Sequence, residues 1–300
     1  MNKENLLNLL GPLPAKCALD ALMLESIDCG SYIREKIEYS VEKDDRVRAY
    51  ILIPKNRIGK IPAIFCHHQH AGNFVIGKSE VVGLAGDSDQ AYAKELAELG
   101  YITFAPDAIA FEERNWAEDK SGRAEYFELA TRLIKGQTLL AKALYDMSVG
   151  INYLQSRDEV NGEKIGFIGH SYGGRMAIWG PAFDKRIKVS VSNCGCVNYK
   201  NSLDRNVGIQ MEFCVPGIMQ LADVEDIIRM VEPANLLISA TDDDKWSHGA
   251  EIMLNYASSA FKEGELCIKV WPGKHIFTKE MRNYAYSFLD KHLIKHSSSL

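Results

Sequence analysis

With 300 residues, of which 46% are hydrophobic and 25% charged, the chain has the composition of one large globular domain, which excludes a disordered, collagen-like or disulfide-stapled protein. Its net charge of −5 predicts no basic face, so we expect neither nucleic acid nor an anionic membrane surface as a partner. The seven cysteines are scattered, the N-terminus lacks the apolar core of a signal peptide, and no apolar stretch reaches the length of a bilayer span. We therefore expect reduced thiols, a cytoplasmic location and no membrane segment.

The predicted elements begin with two short helices in residues 1–30, which decorate a single domain at 31–296. Alternating apolar and charged residues predict an antiparallel hairpin with strands at 32–41 and 46–53. Further along, short apolar runs predict strands at 61–66, 101–105, 164–168, 186–191, 234–240 and 266–270. Helical patterns between and after these runs include 87–99, the stretch around 140–154, 171–180, 247–261 and 279–293.

This alternation of strands and helices predicts an α/β fold with a mostly parallel central sheet, helices on both faces and the hairpin as an antiparallel edge. The stretch at 198–231 breaks the alternation and contains Pro216-Gly217. We interpret it as a small cap that passes over the active face.

The strongest motif is Gly169-His170-Ser171-Tyr172-Gly173-Gly174, which directly follows an apolar strand and precedes a helix. A nucleophile elbow needs this order, because the serine must stand on a strained turn and small residues two before and two after it let the backbone approach closely. The helix behind the serine supplies partial positive charge where an oxyanion would form. We therefore predict Ser171 as a nucleophile rather than as part of a plain turn.

A serine nucleophile needs a base, which in this architecture comes last in the chain. His275 follows a predicted strand and is the preferred base, with His248 as the main rival; His292 and His296 lie on the closing helix and are expected to face solvent or charged partners. The base in turn needs an acid that holds its tautomer.

Three acids, Asp242, Asp243 and Asp244, follow the strand at 234–240. All of them lie at the carboxyl end of that strand, where ligands bind in open α/β sheets. The residues alone do not choose among them.

An oxyanion hole needs two backbone donors, of which one is expected to be the N–H of Tyr172 and the other to come from the loop that begins at His67. Three histidines in this loop, at positions 67, 68 and 70, raise the alternative of a zinc site. Because no spaced carboxylate accompanies them in the sequence, we expect no metal and no cofactor. Cys194 and Cys196 are likewise interpreted as small buried residues.

Several of these segments together resemble α/β-hydrolases of the dienelactone hydrolase superfamily, on its acetyl xylan esterase-like branch. The resemblance extends over nearly all of 33–293 and rests on the hairpin at 39–55, His68-Gln69-His70, the stretch 77–83, the helix and strand at 92–107, the elbow, and Gly273-Lys274-His275-Ile276-Phe277. It implies an α/β-hydrolase fold and a carboxylic ester hydrolase. Gln69, Glu112 and Asp244 depart from the family, where glycine, glycine and proline are more common.

The resemblance also implies further site residues. The family's acid lies three residues after the small residue that closes its strand, here Ala240, and this position is Asp243. The second oxyanion donor corresponds to the backbone N–H of His70. Apart from the resemblance, Arg114 is a candidate substrate contact because it lies in a loop after a strand end, with a surface or cap ion pair as the alternative, and Gln69 is a second candidate contact.

The sequence thus predicts a serine hydrolase that cleaves a small carboxylic ester through an acyl-enzyme, with Ser171, His275 and Asp243 as the triad. One alternative is a peptidase or amidase with the same triad, although the chain offers no room for a gating domain beyond 198–231. Another is a binding module that keeps the fold without catalysis. The acyl and alcohol groups of the substrate and the oligomeric state are not predicted.

Overall fold

The computed structural model describes residues 3–118 and 120–294, so the last two residues of the predicted domain, 295 and 296, lie outside the described part, as does His296. The residues that the structure describes contain nine strands, which form one sheet. In chain order they are β1 (Leu22–Asp28), β2 (Tyr32–Glu42), β3 (Asp45–Pro54), β4 (Ile61–His67), β5 (Ile102–Pro106), β6 (Val160–His170), β7 (Ile187–Asn193), β8 (Asn235–Thr241) and β9 (Leu266–Trp271).

Helices cover both faces of this sheet. They are α1 (Lys3–Leu10), α2 (Lys78–Val81), α3 (Tyr92–Glu98), α4 (Arg123–Ile134), α5 (Leu139–Ser156), α6 (Tyr172–Phe183), α7 (Tyr199–Asp204), α8 (Val224–Arg229), α9 (Ala250–Ala257) and α10 (Lys279–Leu293). Within the described ranges, none of them has both the length and the apolar character that crossing a bilayer requires.

The strand order is β1-β2-β3-β5-β4-β6-β7-β8-β9. The first three strands pair antiparallel, and β3 joins β5 antiparallel, whereas β5, β4, β6, β7, β8 and β9 run parallel to one another. The inner parallel strands, such as β4, β5 and β8, are buried on both faces, which explains their continuous apolar runs, whereas the edge strand β9 is half-buried or exposed. The predicted α/β fold, with a parallel sheet and an antiparallel edge, is confirmed. Because β4, β6, β8 and β9 run parallel, their carboxyl ends lie at one edge of the sheet.

The prediction of two helices in residues 1–30 is wrong for the second of them. Helix α1 is present, and its Leu6 and Leu10 are fully buried in the core. Residues 22–28 instead form β1, which pairs antiparallel with β2 and extends the sheet by one edge strand. Every residue of β1 is exposed, so backbone hydrogen bonds to β2 define this strand and burial does not.

The stretch at 198–231 holds the two short helices α7 and α8, separated by single 3-10 turns at Met211–Phe213 and Ile218–Gln220. Phe213, Val224 and Ile227 are buried in the main core. The stretch therefore packs into the domain, while its residues 207–211 line the cavity described next.

Candidate active site

Ser171 occupies the turn between β6 and α6, and its backbone has φ 58° and ψ −112°. A non-glycine residue with positive φ is strained, and here the strain sets the serine at the first turn of a helix. The turn has no space for side chains beside it: a Cβ at Gly169 would lie 2.3 Å from the backbone of Gly173, and one at Gly173 would lie 2.1 Å from the carbonyl oxygen of His67. The glycines of the motif are therefore needed for close packing of the backbone around Ser171.

His275, in the loop after β9, lines the same cavity as Ser171. The cavity has a volume of about 430 Å³ and opens to solvent between the loop after β4 and the segment 207–211. The side chain of His275 is 30% exposed. The structure thus places the predicted nucleophile and the predicted base at one cavity, although they are far apart in the chain.

The carboxylate that contacts His275 belongs to Asp244, not to Asp243. The Nδ1 atom of His275 lies 3.1 Å from Oδ1 of Asp244, whose side chain is 1% exposed. The same carboxylate accepts hydrogen bonds from the N–H of Trp246, at 3.0 Å, and from the hydroxyl of Ser247, at 2.7 Å. Burial would raise the pKa of Asp244, but the hydrogen bond and charge of His275, with these two donors, lower it overall.

The expectation that Asp243 pairs with His275 is therefore wrong in this structure. Its N–H donates to the carbonyl oxygen of Gly273 at 3.0 Å, and its side chain is exposed. Asp242 is also exposed, and its carboxylate accepts the N–H of Gly273. The turn after β8 thus directs the first two acids to solvent and the third inward. The sequence contains a local signal for this, because Asp244 and Ser247 have the i, i+3 spacing of a side chain that caps a turn.

The rival base His248 lies away from the cavity. It is exposed, and its ring nitrogens contact Arg205 at 2.9 Å and Asn201 at 3.1 Å. Its position gives no support to a role as the base for Ser171.

Buried polar residues that the sequence did not single out hold the His275 loop. Asn193, at the end of β7, donates to the carbonyl oxygen of Ile276 at 2.9 Å and contacts Nδ1 of His170 at 2.7 Å. The side-chain amide oxygen of Asn193 accepts from the hydroxyl of Ser239 at 2.7 Å, and Thr241 donates to the carbonyl oxygen of Lys274 at 2.8 Å. Because these donors come from β7 and β8, the backbone around His275 is fixed by the sheet itself.

Buried histidines make the stability depend on pH. Burial, with repulsion from His68, lowers the pKa of His67 to about 3, and burial, with repulsion from His275, lowers that of His170 well below its ordinary value. Between pH 6.5 and 4 the unfolded chain binds protons that the folded chain excludes, so each such histidine lowers the free energy of unfolding by about 1.4 kcal/mol per pH unit of acidification. We expect His170→Gln to reduce this slope by about that amount, as measured by urea unfolding at several pH values.

His248→Gln is the matched control for that measurement, since His248 is exposed. Its slope should equal that of the parent protein. Equal slopes for the parent and His170→Gln would contradict the assignment of His170 as a buried neutral histidine.

The loop after β4 carries the predicted second oxyanion donor. His67 and His68 use their rings structurally: Nδ1 of His67 contacts the carbonyl oxygen of His68 at 3.0 Å, and Nε2 of His68 accepts the N–H of Ala108 at 3.1 Å. The backbone N–H of His70 donates to no acceptor among the described residues. The N–H of Tyr172, at the first position of α6, has no intrahelical acceptor by the geometry of a helix start. Among the described residues, neither N–H group therefore has a hydrogen-bond acceptor.

Gln69 lines the cavity, and its amide donates to both oxygens of Glu80, at 3.2 and 3.1 Å. Glu80 also accepts the N–H of Asp87 at 3.1 Å. Glu80 thereby holds the loop side chain that stands where the family more often has glycine. A contact of Gln69 with substrate stays a prediction.

A buried ion cluster around Lys78 lies next to the segment that follows β4. The ammonium of Lys78, whose side chain is 0% exposed, lies 2.7 Å from Asp107, 2.6 Å from Glu112 and 2.6 Å from Glu113. Glu112 has φ 43°, which explains why a glycine is common at its position in the family. Its carboxylate also accepts the N–H groups of Gly77 and Ser79, each at 2.9 Å, and these bonds offset the strained backbone.

Removing the charge of Lys78 should destabilise the fold strongly. Lys78→Met keeps an unbranched side chain of similar length but leaves three carboxylates without their shared cation, and we expect a loss of about 3–5 kcal/mol in the free energy of unfolding. Urea unfolding at pH 7 measures it. Lys94→Met is the control, because Lys94 and Glu98 form an exposed pair at 3.7 Å that should contribute at most about 1 kcal/mol. Similar losses in the two variants would refute a special role for the Lys78 cluster.

Arg114, predicted as a candidate substrate contact, forms ion pairs away from the cavity at Ser171. Its side chain is 6% exposed, and its guanidinium lies 2.8 Å from Asp45 and 2.9 Å from Asp146. It does not line the cavity at Ser171. That prediction is wrong, because a buried guanidinium needs carboxylate partners, and Asp45 at the start of β3 and Asp146 in α5 provide them.

Three groups of described residues bring together side chains that could ligate a metal. In Asp107, Glu112 and Glu113, the ammonium of Lys78 already occupies the place of a cation. Cys194, Asp244 and His275 include the ion pair described above, and Cys194 and Cys196 are both buried, as predicted. The third group joins His70 to Glu125 and Glu212, two carboxylates that lie far from it in the sequence.

Comparison with known proteins identifies the group to which this chain is related. A model of the dienelactone hydrolase family matches residues 47–286. The chain belongs to this family. A lactone is a cyclic ester, so membership classes the chain with the carboxylic ester hydrolases.

Individual relatives agree with this assignment. The chain is 30% identical over 237 residues to the protein named "Putative hydrolase YtaP" of Bacillus subtilis (strain 168), covering 77% of this chain and 76% of that one. A glucuronoyl esterase from Solibacter usitatus superposes with a TM-score of 0.71 at 16% identity, covering 96% and 91% of the two chains. An acetyl xylan esterase from Paenibacillus sp. R4 gives 0.66 at 14% identity, covering 92% and 90%. Because these identities are low, the solved structures establish only the fold of this chain, which is the α/β-hydrolase fold.

Proposed function

We propose that the chain is a serine esterase that cleaves a small carboxylic ester through an acyl-enzyme intermediate. The observation that carries the proposal is the arrangement at the sheet edge: Ser171 on a strained turn and His275 at one cavity, with His275 held by the buried Asp244. In other enzymes this set of groups performs acyl transfer.

In the proposed mechanism, the hydroxyl oxygen of Ser171 attacks the ester carbonyl carbon while His275 takes the hydroxyl proton. Asp244 keeps the imidazole in the tautomer that accepts this proton and stabilises the resulting imidazolium. The N–H groups of Tyr172 and His70 donate hydrogen bonds to the oxygen of the tetrahedral intermediate. His275 then protonates the leaving alcohol, and a water molecule, activated by His275, releases the acid from Ser171.

The relatives support an ester rather than an amide as the bond that is cleaved. Their names include acetyl xylan esterase, glucuronoyl esterase and "Carbohydrate esterase MZ0003", the last being 28% identical over 174 residues, which cover 50% of this chain and 40% of that protein. A cavity of about 430 Å³ that opens to solvent fits a small acyl group attached to a larger alcohol outside.

A cytoplasmic location, expected from the seven cysteines, stays a prediction; all seven are free thiols.

A fluorophosphonate probe tests the proposal, because it reacts only with an activated serine. We expect one phosphonyl group per chain, mapped to Ser171 by mass spectrometry, and hydrolysis of a short-chain aryl ester much faster than that of the matched anilide. Faster cleavage of the anilide would favour a peptidase or amidase. Absence of labelling would leave a binding module that keeps the fold.

A further inference from the structure

Two buried carboxylates, Glu125 and Glu212, lie beside the loop that carries the proposed oxyanion donor His70, and Glu125 also lines the cavity at Ser171. The Nε2 atom of His70 is 2.9 Å from Oε1 of Glu125, in α4, and one side-chain atom each of His70, Glu125 and Glu212 lie within 4.8 Å of one another. Glu125 is 3% exposed and Glu212 is 0% exposed. The cluster therefore joins three separate segments: the oxyanion loop, α4 and the stretch at 198–231.

The hydrogen bonds of His70 fix which of its ring nitrogens carries the proton. Its Nδ1 atom accepts the backbone N–H of Gly72 at 3.0 Å, so the proton is on Nε2 and is donated to Glu125. The ring packs edge-on against Phe74 and Phe111, with centroids 4.8 and 5.2 Å away. A metal ion on Nε2 would need the lone pair of that nitrogen and would place a proton on Nδ1, against the N–H of Gly72.

The carboxylate of Glu212, unlike that of Glu125, has no hydrogen-bond donor among the described residues. Neither of its carboxyl oxygens accepts a hydrogen bond from any described residue, and no described cation forms an ion pair with it. The buried guanidinium of Arg175 lies instead over the rings of Phe213 and Trp246, at 5.3 and 4.8 Å from their centroids. Lys78 differs from Arg175 in this respect, because its ammonium contacts all three carboxylates of its own cluster.

Repulsion between two neighbouring buried carboxylates opposes the ionisation of both when no cation lies between them. Burial, and then the charge of Glu125, raise the pKa of Glu212 well above its ordinary value. A proton on Glu212 removes the repulsion and provides a donor for Glu125, which already accepts from His70.

We propose that Glu212 is a carboxylic acid that donates a hydrogen bond to Glu125, and that Glu125, held from both sides, fixes the loop whose His70 N–H meets the oxyanion. In this proposal Glu125 and Glu212 are positioning residues, since they act through the ring of His70, and Glu125 also lines the cavity at Ser171. The inference rests on the proposed esterase function. Because Met211, next to Glu212, lines the cavity, the same bond couples the 198–231 stretch to the oxyanion loop.

Variants at the two glutamates test the proposal through kcat and KM for a short-chain aryl ester. Glu125→Ala frees the ring of His70, and a displaced oxyanion donor should lower kcat about tenfold to hundredfold with KM changed less than about threefold. Glu212→Gln is the conservative variant, because its amide donates to Glu125 as the acid does, and it should keep kcat within about threefold of the parent. Glu212→Met removes the donor and should fall between the two.

Glu128→Ala is the control on the same helix, since Glu128 pairs with Arg132 at 3.4 Å and does not line the cavity. Its kcat should equal that of the parent. A kcat of Glu212→Gln as low as that of Glu125→Ala would overturn the proposal. Loss of parent activity on dialysis against EDTA, restored by Zn²⁺, would also overturn it, in favour of a metal ion between the carboxylates.

A readout that needs no activity separates this inference from the proposed function. Long-range ¹H–¹⁵N spectra report which ring nitrogen of His70 is protonated, and we expect Nε2 in the parent and in Glu212→Gln, with a changed ring signal in Glu125→Ala. Protonation of Nδ1 in the parent would refute the positioning role. If the parent cleaved no ester but showed the Nε2 proton, the proposed function would fail while the carboxyl–carboxylate–imidazole chain remained.

Discussion

Ser171→Ala is expected to lower kcat for hydrolysis of a short-chain aryl ester by about 10⁴-fold or more. The variant keeps the Cβ atom and the backbone of the turn but loses the hydroxyl oxygen that carries the acyl group in the proposed mechanism. The oxyanion donors and the binding cavity remain, so a residual rate above that of water alone is expected. Released acid, measured under single-turnover conditions, reports the change in the chemical step.

The control is Ser202→Ala, because the hydroxyl of Ser202 is buried, has no hydrogen-bond partner among the described residues, and lies away from the cavity at Ser171. Its kcat should match that of the parent protein. Urea unfolding should show that Ser171→Ala is folded. A folded Ser171→Ala enzyme with parental activity would remove the basis of the proposed function.

The parallel sheet and the elbow were predictable because each leaves a mark in the local sequence. Strands buried on both faces must be continuously apolar, as in 61–66, and a serine pressed between backbones needs glycine at positions 169 and 173. Such constraints act on single residues, so one chain is enough to detect them. The order of the elements then fixes which strand ends meet.

Strand β1 could not be predicted in this way. Its residues Leu22, Met23 and Leu24 are all exposed, at 55%, 63% and 47%, so the strand has no buried face and shows no alternation. The pairing with β2, from Leu22 opposite Glu38 to Asp28 opposite Ile33, depends on backbone groups that are the same in every residue. Hydrophobic patterns in a sequence indicate which residues are buried, and because no residue of β1 is buried, its sequence shows no such pattern.

The His70 cluster shows a second kind of limit. The sequence offers His70 as a zinc ligand but places no carboxylate at ligand spacing near it. The fold brings Glu125 and Glu212 to it from α4 and from the least regular stretch of the chain. Contacts of this kind depend on the path of loops, which periodicity does not determine.

Asp244→Asn should lower kcat by about 10⁴-fold, the loss typical of a triad whose acid becomes an amide. The asparagine side chain has nearly the same shape, but its NH₂ group can face Nδ1 of His275 and so favour the tautomer with the proton on Nε2. In that tautomer Nε2 cannot accept the proton of Ser171. KM should change little, because Asp244 is buried behind His275 and does not line the cavity.

Asp243→Asn is a matched control of unusual sharpness, since it makes the same chemical change one residue away. The Asp243 side chain is exposed, and its backbone N–H, which the variant keeps, donates to the carbonyl oxygen of Gly273 in the His275 loop. We expect kcat within about threefold of the parent, as for surface substitutions generally. Resemblance to the family predicts the opposite ranking, with Asp243 as the acid. Kinetics of the two variants on one substrate therefore decide between the position inferred by resemblance and the carboxylate that the turn after β8 directs to the imidazole. A large loss at Asp243 with little at Asp244 would mean that the catalytic form of this loop differs from the one described.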